Sequence, residues 1–278
     1  MIRPESVTIV WQIVDLSLTL PKKNHILLRM GNQIQCRNEG KDRMASWAST
    51  VGLIAFDADD TLWDNQGHFD AVEQAYCRLL SPYGTAEQVS AALFETETAN
   101  MSLLGYGCKA FTLSLIENAV SFSKGQITAR KLLEVEQLGK SLLSLPVTPL
   151  AGVVNALRAL RQIGRYRLVV FTKGELLDQQ NKVIRSGLRA FFDDVIVVSD
   201  KTRHEYQRLC DMFDTDVSRL LMVGNSFKSD IAPVLQLGGY AVHIPFDKVW
   251  QHEVVEEYEH PRLRRLQSIS DLPSLLAI

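Results

Sequence analysis

The sequence predicts an α/β fold, a Rossmann-like parallel sheet whose first crossover is replaced by a long α-helical insertion. Three observations carry this. Five short runs rich in Val, Ile and Leu, at residues 51–56, 167–171, 195–198, 220–223 and 240–244, have apolar residues on both faces, as strands covered by helices on both sides require. After the second run the spacing is about 20–25 residues, room for one helix and its turns. Between the first and second runs lie more than a hundred residues, too many for a single crossover helix.

Each of the first four runs ends in polar residues. The first runs into Asp57, the second into Thr172-Lys173-Gly174, the third into Ser199-Asp200-Lys201 and the fourth into Gly224-Asn225-Ser226. Ligands of open parallel sheets bind beyond the carboxyl ends of the strands, so a site is expected where these four segments converge.

The insertion reads as several helices. Apolar residues recur at three- and four-residue intervals over residues 71–80, 86–94, 110–120 and 127–145, with breaks at Pro82-Tyr83-Gly84 and Ser123-Lys124-Gly125. Pro146 and Pro149 close it, and residues 153–161 form a helix returning to the sheet. The tail beyond residue 244 predicts a short last strand near residues 265–269. Trp250, His252 and Glu253 are expected to pack against the sheet edge. Three parts result: an extension over residues 1–50, expected to be poorly ordered, an α/β core over 51–66 and 147–278, and a helical domain over 67–146. Residues 1–43 are expected to lie outside the fold, as an over-extended start before Met44.

Composition is that of an ordinary globular chain: 46% hydrophobic, 22% charged, formal charge −2. A pI near 6.3 gives no electrostatic reason to expect nucleic acid or an anionic membrane as partner. Four scattered cysteines, Cys36, Cys77, Cys108 and Cys210, suit a reducing cytoplasm rather than a disulfide framework. The six histidines fall at no helical metal-ligand spacing, so zinc is not expected.

The chemistry concentrates in Phe56-Asp57-Ala58-Asp59-Asp60-Thr61-Leu62, three carboxylates within four residues at the end of a buried strand. Asp57 and Asp59 are two apart, so on an extended backbone they point the same way. Like charges held this close beside a core demand compensation. A divalent cation supplies it, and hard cations such as Mg²⁺ prefer oxygen ligands.

This string resembles the first motif of the haloacid dehalogenase-like (HAD) hydrolase superfamily. The resemblance covers about residues 51–278, and it implies Asp57 as nucleophile, Asp59 as general acid/base and Mg²⁺ as cofactor. In that family the true dehalogenases carry an aromatic residue at the position of Asp59 and the transport ATPases a Thr. An acid there is the pattern of phosphatases and phosphomutases. Thr172 then matches the second motif and would hold phosphate oxygens, with no role assigned to Lys173. Lys201 matches the third and would stabilise the nucleophile and the transferring group. It is preferred to Arg203 and Arg208 because it follows its strand directly.

Residues 224–230, Gly-Asn-Ser-Phe-Lys-Ser-Asp, match the fourth motif with one departure, Asn225 where the family often has Asp. The implied ligands are Asp57, Asp59 through its carbonyl, Asn225 and Asp230, and the departure bears on metal affinity more than on chemistry. Residues 67–146 resemble the family's helical cap, which chooses the substrate. Tyr106 and Lys109 are its candidate substrate contacts, and Trp63 a candidate flap residue. The expected activity is Mg²⁺-dependent hydrolysis of a small phosphorylated metabolite through an aspartyl-phosphate. A phosphomutase shares every motif, and a catalytically impaired binding protein is the reading that Asn225 alone favours.

Overall fold

The computed structural model of the chain describes residues 48–277. The extension expected over residues 1–50 therefore lies outside the described residues, except for its last three, which are helical. Ala48 is buried, and its carbonyl accepts from Arg165 Nη2 at 2.9 Å.

Six strands among the described residues form one sheet in the order β3-β2-β1-β4-β5-β6, with every neighbouring pair parallel. They are β1 (Leu53–Phe56), β2 (Arg167–Lys173), β3 (Asp194–Val198), β4 (Leu220–Gly224), β5 (Tyr240–His243) and β6 (Leu263–Arg265). Side chains alternate across a strand. Ile54 and Phe56 thus enter one apolar layer with Val170 and Val223, while Leu53 and Ala55 enter the other with Val169, Phe171 and Met222. The chain builds outward from β1 through β2 to β3, then returns to β4 on the other side. The reversal falls between β1 and β4, and such a switch point opens a crevice beyond the strand ends.

Five helices lie between β1 and β2, and the first four form the insertion: α1 (Gln66–Leu80), α2 (Ala86–Leu104), α3 (Cys108–Phe122) and α4 (Ala129–Ser141). They enclose an apolar cluster of their own, including Tyr76, Leu80, Val89, Leu93, Leu115 and Val135. Thr85 opens α2 with a capping box, its hydroxyl accepting from Gln88 N–H while the Gln88 side chain accepts from its own. The later helices, α5 (Val153–Ile163), α6 (Leu176–Arg185), α7 (Arg203–Met212), α8 (Ala232–Gln236) and α9 (Leu272–Leu276), pack with the sheet.

The boundaries differ from expectation where polarity masks periodicity. α1 begins at Gln66 rather than 71, because its first turn is polar. α2 runs ten residues beyond 94, since residues 95–104 contain no breaker and Gly105, at φ 71°, is the first residue to end the helix. α4 starts at Ala129 rather than 127, because Thr128 caps it by accepting from Lys131 N–H. The last strand is Leu263–Arg265, not 265–269, where Ser268 instead opens a helical turn. No helix among the described residues is long and apolar enough to cross a membrane.

Candidate active site

The carboxyl ends of β1, β2, β3 and β4 meet around a cavity of about 370 Å³. Asp57 continues β1, and its N–H donates to Val223 O of β4 at 2.9 Å, which fixes the carboxylate beside the switch point. Lys201, just beyond β3, reaches across with its ammonium 2.5 Å from Asp57 Oδ1 and 2.6 Å from Asp230 Oδ1. Asp230 belongs to a wide helical turn, Phe227–Ile231, after β4, and accepts Ser226 N–H at 3.0 Å. Gly224 permits this approach, because a Cβ there would stand 2.2 Å from Asp230 Oδ2.

Two buried carboxylates thus share one buried ammonium. Burial is the largest influence on Asp57 and raises its pKa; Lys201 opposes this and Asp230 reinforces it, leaving it at about 7. Burial works against the charge of Lys201, yet Asp230 and Asp57 together hold its pKa above the ordinary lysine value.

The Asp59 carboxylate is gripped from three directions. Trp63 Nε1 donates to Oδ1 at 2.7 Å, Gln179 Nε2 donates to Oδ2 at 2.8 Å, and Lys182 Nζ lies 3.2 Å from both oxygens. Lys182 and Gln179, both from α6, were not legible in the sequence, because buried polar residues on an amphipathic helix look the same as solvated ones. Asp60 has a different task. It adopts φ 63° and accepts the N–H groups of Asn65 and Gln66, closing the loop that starts α1.

Among the candidate residues, Asp57, Asp59, Thr172, Lys201, Asn225 and Asp230 all line the one cavity. Tyr106, from the loop between α2 and α3, lines it too, with Lys173 Nζ 4.2 Å from its ring centre. Two substrate candidates stand elsewhere. Lys109 is exposed and ion-paired with Glu175 at 2.8 Å, outside the lining. Trp63 is fully buried and serves Asp59, so it orients a carboxylate rather than closing over a substrate.

Glu253 also departs from expectation. Rather than packing at the sheet edge, it lines the cavity and accepts from Ser229 Oγ at 2.7 Å, from Ser226 Oγ and from Lys173 Nζ. Burial pushes its carboxyl up, but Lys173 and the two serines outweigh that and hold its pKa below the usual glutamate value. No local signal in the tail marks it.

The donor atoms suit a hard cation. The end of the Asn225 amide that carries its oxygen lies 3.0 Å from Thr61 Oγ1, 3.2 Å from Asp57 Oδ2 and 3.3 Å from the Asp59 carbonyl oxygen. Such a cluster of acceptors is satisfied by turning the amide so that its nitrogen donates, or by a cation among the oxygens. Two carboxylates, a carbonyl and an amide oxygen make an all-oxygen set of the kind Mg²⁺ takes, with water completing the octahedron. Among the described residues no three His, Cys, Asp or Glu side chains come together as a metal centre, this site included, so the set here has only two carboxylates and relies on the carbonyl and the amide oxygen.

A six-stranded parallel sheet, acids at its switch point and a lysine bridging them define a class of hydrolase. The chain matches the family model of the haloacid dehalogenase-like hydrolases over residues 51–238 and belongs to that family. It is 27% identical to the glyceraldehyde 3-phosphate phosphatase of Methanothermobacter thermautotrophicus over 198 residues, 68% of this chain and 83% of that one. A crystal structure of a haloacid dehalogenase-like family hydrolase from Xanthomonas campestris superposes with a TM-score of 0.73 at 34% identity, covering 81% of this chain and 90% of that one. The L-2-haloacid dehalogenase of Xanthobacter autotrophicus shares the fold, with a TM-score of 0.56 at 17% identity, covering 81% and 98%.

Proposed function

We propose that the chain is a Mg²⁺-dependent phosphatase that hydrolyses a small phosphorylated metabolite through an aspartyl-phosphate on Asp57. The observation that carries this is the pair Asp57 and Asp59, two residues apart on one cavity wall, the first bridged to Asp230 by Lys201. Asp57, Asp230, Asn225 and the Asp59 carbonyl would hold the ion. When bound, Mg²⁺ supplies positive charge that lets a carboxylate approach a phosphate dianion.

In the first step a carboxylate oxygen of Asp57 attacks phosphorus, and the bond from phosphorus to the leaving oxygen breaks. Asp59 donates the proton that the leaving oxygen needs. In the second step water attacks phosphorus while Asp59 takes its proton, and the acyl-phosphate bond breaks to return Asp57 and free phosphate. Lys201 neutralises Asp57 and the transferring group, and the Thr172 hydroxyl holds a phosphoryl oxygen. A dehalogenase would displace halide from carbon and has no leaving oxygen to protonate, a task for which Asp59 is equipped.

Residues 67–146 act as a cap over a core of residues 51–66 and 147–278, which restricts the site to small substrates. Cys77, Cys108 and Cys210 are buried free thiols, in keeping with a reducing cytoplasm. The test is a panel of phosphorylated metabolites screened for phosphate release, with Asp57→Asn as the blank. Release from one or more members well above the blank is expected, and a panel in which none exceeds the blank would refute the reading.

A further inference from the structure

Glu253 reaches the site from the segment between β5 and β6, far along the chain from the four strand ends that converge there. Each of its hydrogen-bond partners adjoins a residue of the site. Lys173 follows Thr172, Ser226 follows Asn225, and Ser229 precedes Asp230. The Glu253 side chain is only 11% exposed, so these partners and not water satisfy it. It thereby ties the turn beyond β2 to the wide helical turn beyond β4.

The bonds all run toward the carboxylate. Ser226 Oγ accepts the Ser229 N–H at 3.0 Å, so its own proton needs another acceptor, and Glu253 Oε2 takes it. Ser229 Oγ accepts from Lys173 Nζ at 3.0 Å and gives its proton to the same oxygen at 2.7 Å. Lys173 Nζ donates to Oε1. Only an ionised carboxylate accepts at both oxygens; an amide would turn its NH2 toward a donor on one side. The Ser226 N–H in turn donates to Asp230 Oδ2 at 3.0 Å, so the way Ser226 is held bears directly on Asp230.

A residue that orients others must itself be fixed, and the neighbours of Glu253 fix it. The His252 ring stacks on Phe94 of α2 at 4.3 Å between ring centres, and its carbonyl accepts from Lys228 Nζ at 2.8 Å. Trp250 packs edge-on with Tyr106 at 5.8 Å. A buried ion pair is by itself weak evidence of a stabilising role, and this one is spent on the flanks of the site.

We propose that Glu253 is a positioning residue of the reaction: through Ser226 and Ser229 it sets Asp230 for the cation, and through Lys173 it fixes the turn that carries Thr172. This rests on the phosphatase reading above and extends it to a residue outside the four motif segments. Lys173 thereby gains a place in the scaffold. Its ammonium is taken up by Glu253, Ser229 and the face of Tyr106.

The experiment compares Glu253→Gln, Ser229→Ala and the double variant with the unmodified protein. Titration calorimetry reads Mg²⁺ affinity without substrate, and kcat and KM are read on an aryl phosphate at saturating Mg²⁺. Glu253→Gln is expected to weaken Mg²⁺ binding at least about fivefold and to lower kcat at least about tenfold, with KM within about threefold. Ser229→Ala should act in the same direction more mildly. The double variant should match Glu253→Gln within about twofold, because both changes act along one path. A contact that only holds the fold would lower the melting temperature and leave affinity and the kcat of folded protein within about twofold, and that result would overturn the assignment. Losses that multiply in the double variant would overturn it too. If Glu253→Gln does not fold, Ser229→Ala decides: weakened Mg²⁺ binding supports the assignment and unchanged binding overturns it. An unmodified protein that binds Mg²⁺ but releases no phosphate counts against the phosphatase reading alone, and the calorimetry then decides for Glu253.

Discussion

Lys182 sets its ammonium 3.2 Å from both carboxylate oxygens of Asp59 and 2.8 Å from Asn65 Oδ1. It also lies 3.6 Å from the buried Asp178. One cation thus holds the proposed acid/base, the start of the first helix and a buried acid of its own helix. Burial works against its charge, but Asp59 and Asp178 raise its pKa above the ordinary lysine value.

Lys182→Met should therefore harm both stability and turnover. Removing one member of a buried ion pair leaves the other uncompensated, and here the loss is expected at about 2–4 kcal/mol. Urea denaturation reads that loss, and kcat on an aryl phosphate should fall at least about tenfold as Asp59 loses its orientation. A variant with unchanged midpoint and unchanged kcat would show that Lys182 is a bystander.

Gly224→Ala separates catalysis from folding. Its Cβ would collide with the Asp230 carboxylate, which is fully buried and tied to Lys201 and to Ser226 N–H. The carboxylate must turn away, so activity is expected to fall by about 10² or more, the scale on which small misplacements in a site act. Thermal melting should show a folded protein. Near-normal activity would mean that Asp230 is free to move without consequence.

The sheet was legible in the sequence because its strands are apolar on both faces and end at polar residues, as at Phe56-Asp57 and Val223-Gly224-Asn225. The four motif segments were legible for the same reason: strand ends converge by topology, whatever lies between. What stayed hidden depends on tertiary placement. Glu253 sits in an irregular tail, and nothing local says that it reaches Ser226, Ser229 and Lys173. Trp63 directly follows the first motif, which points to a place at the mouth of the site, whereas its indole turns inward to Asp59. Glu73 and Glu97 fall on amphipathic helices, where a glutamate facing a cavity has the same spacing as one facing water.

Stability should pass through a maximum in mildly acidic solution, with opposite causes on its two sides. Glu97 has its pKa raised from 4.5 to about 7 in the folded state, so the native protein binds more protons than the unfolded one between those values. That group's contribution therefore declines as pH rises from about 4.5 to about 7. Glu253 is held below its ordinary value, so its contribution is present above about 4.5 and is lost as pH falls through its folded pKa. Denaturation midpoints against pH should show Glu97→Gln flattening the upper slope and Glu253→Gln the lower. Parallel profiles for both variants and the unmodified protein would contradict this.

Metal removal gives a further check. Chelation should silence phosphate release, and added Mg²⁺ should restore it. Asn225→Asp adds a charged oxygen to the proposed ligands, and affinity rises with ligand charge. The Mg²⁺ concentration for half-maximal activity should then fall by about threefold or more. Activity that survives exhaustive chelation would count against the ligand set.

A phosphoryl group carried by Asp57 in mid-reaction can be observed on the residue itself. Enzyme quenched in acid during turnover of a phosphorylated substrate, then digested and analysed by mass spectrometry, should yield the peptide containing Asp57 with a phosphoryl group on that side chain. Steady turnover with Asp57 never modified, and with phosphate found on another residue or on none, would exclude Asp57 as the nucleophile.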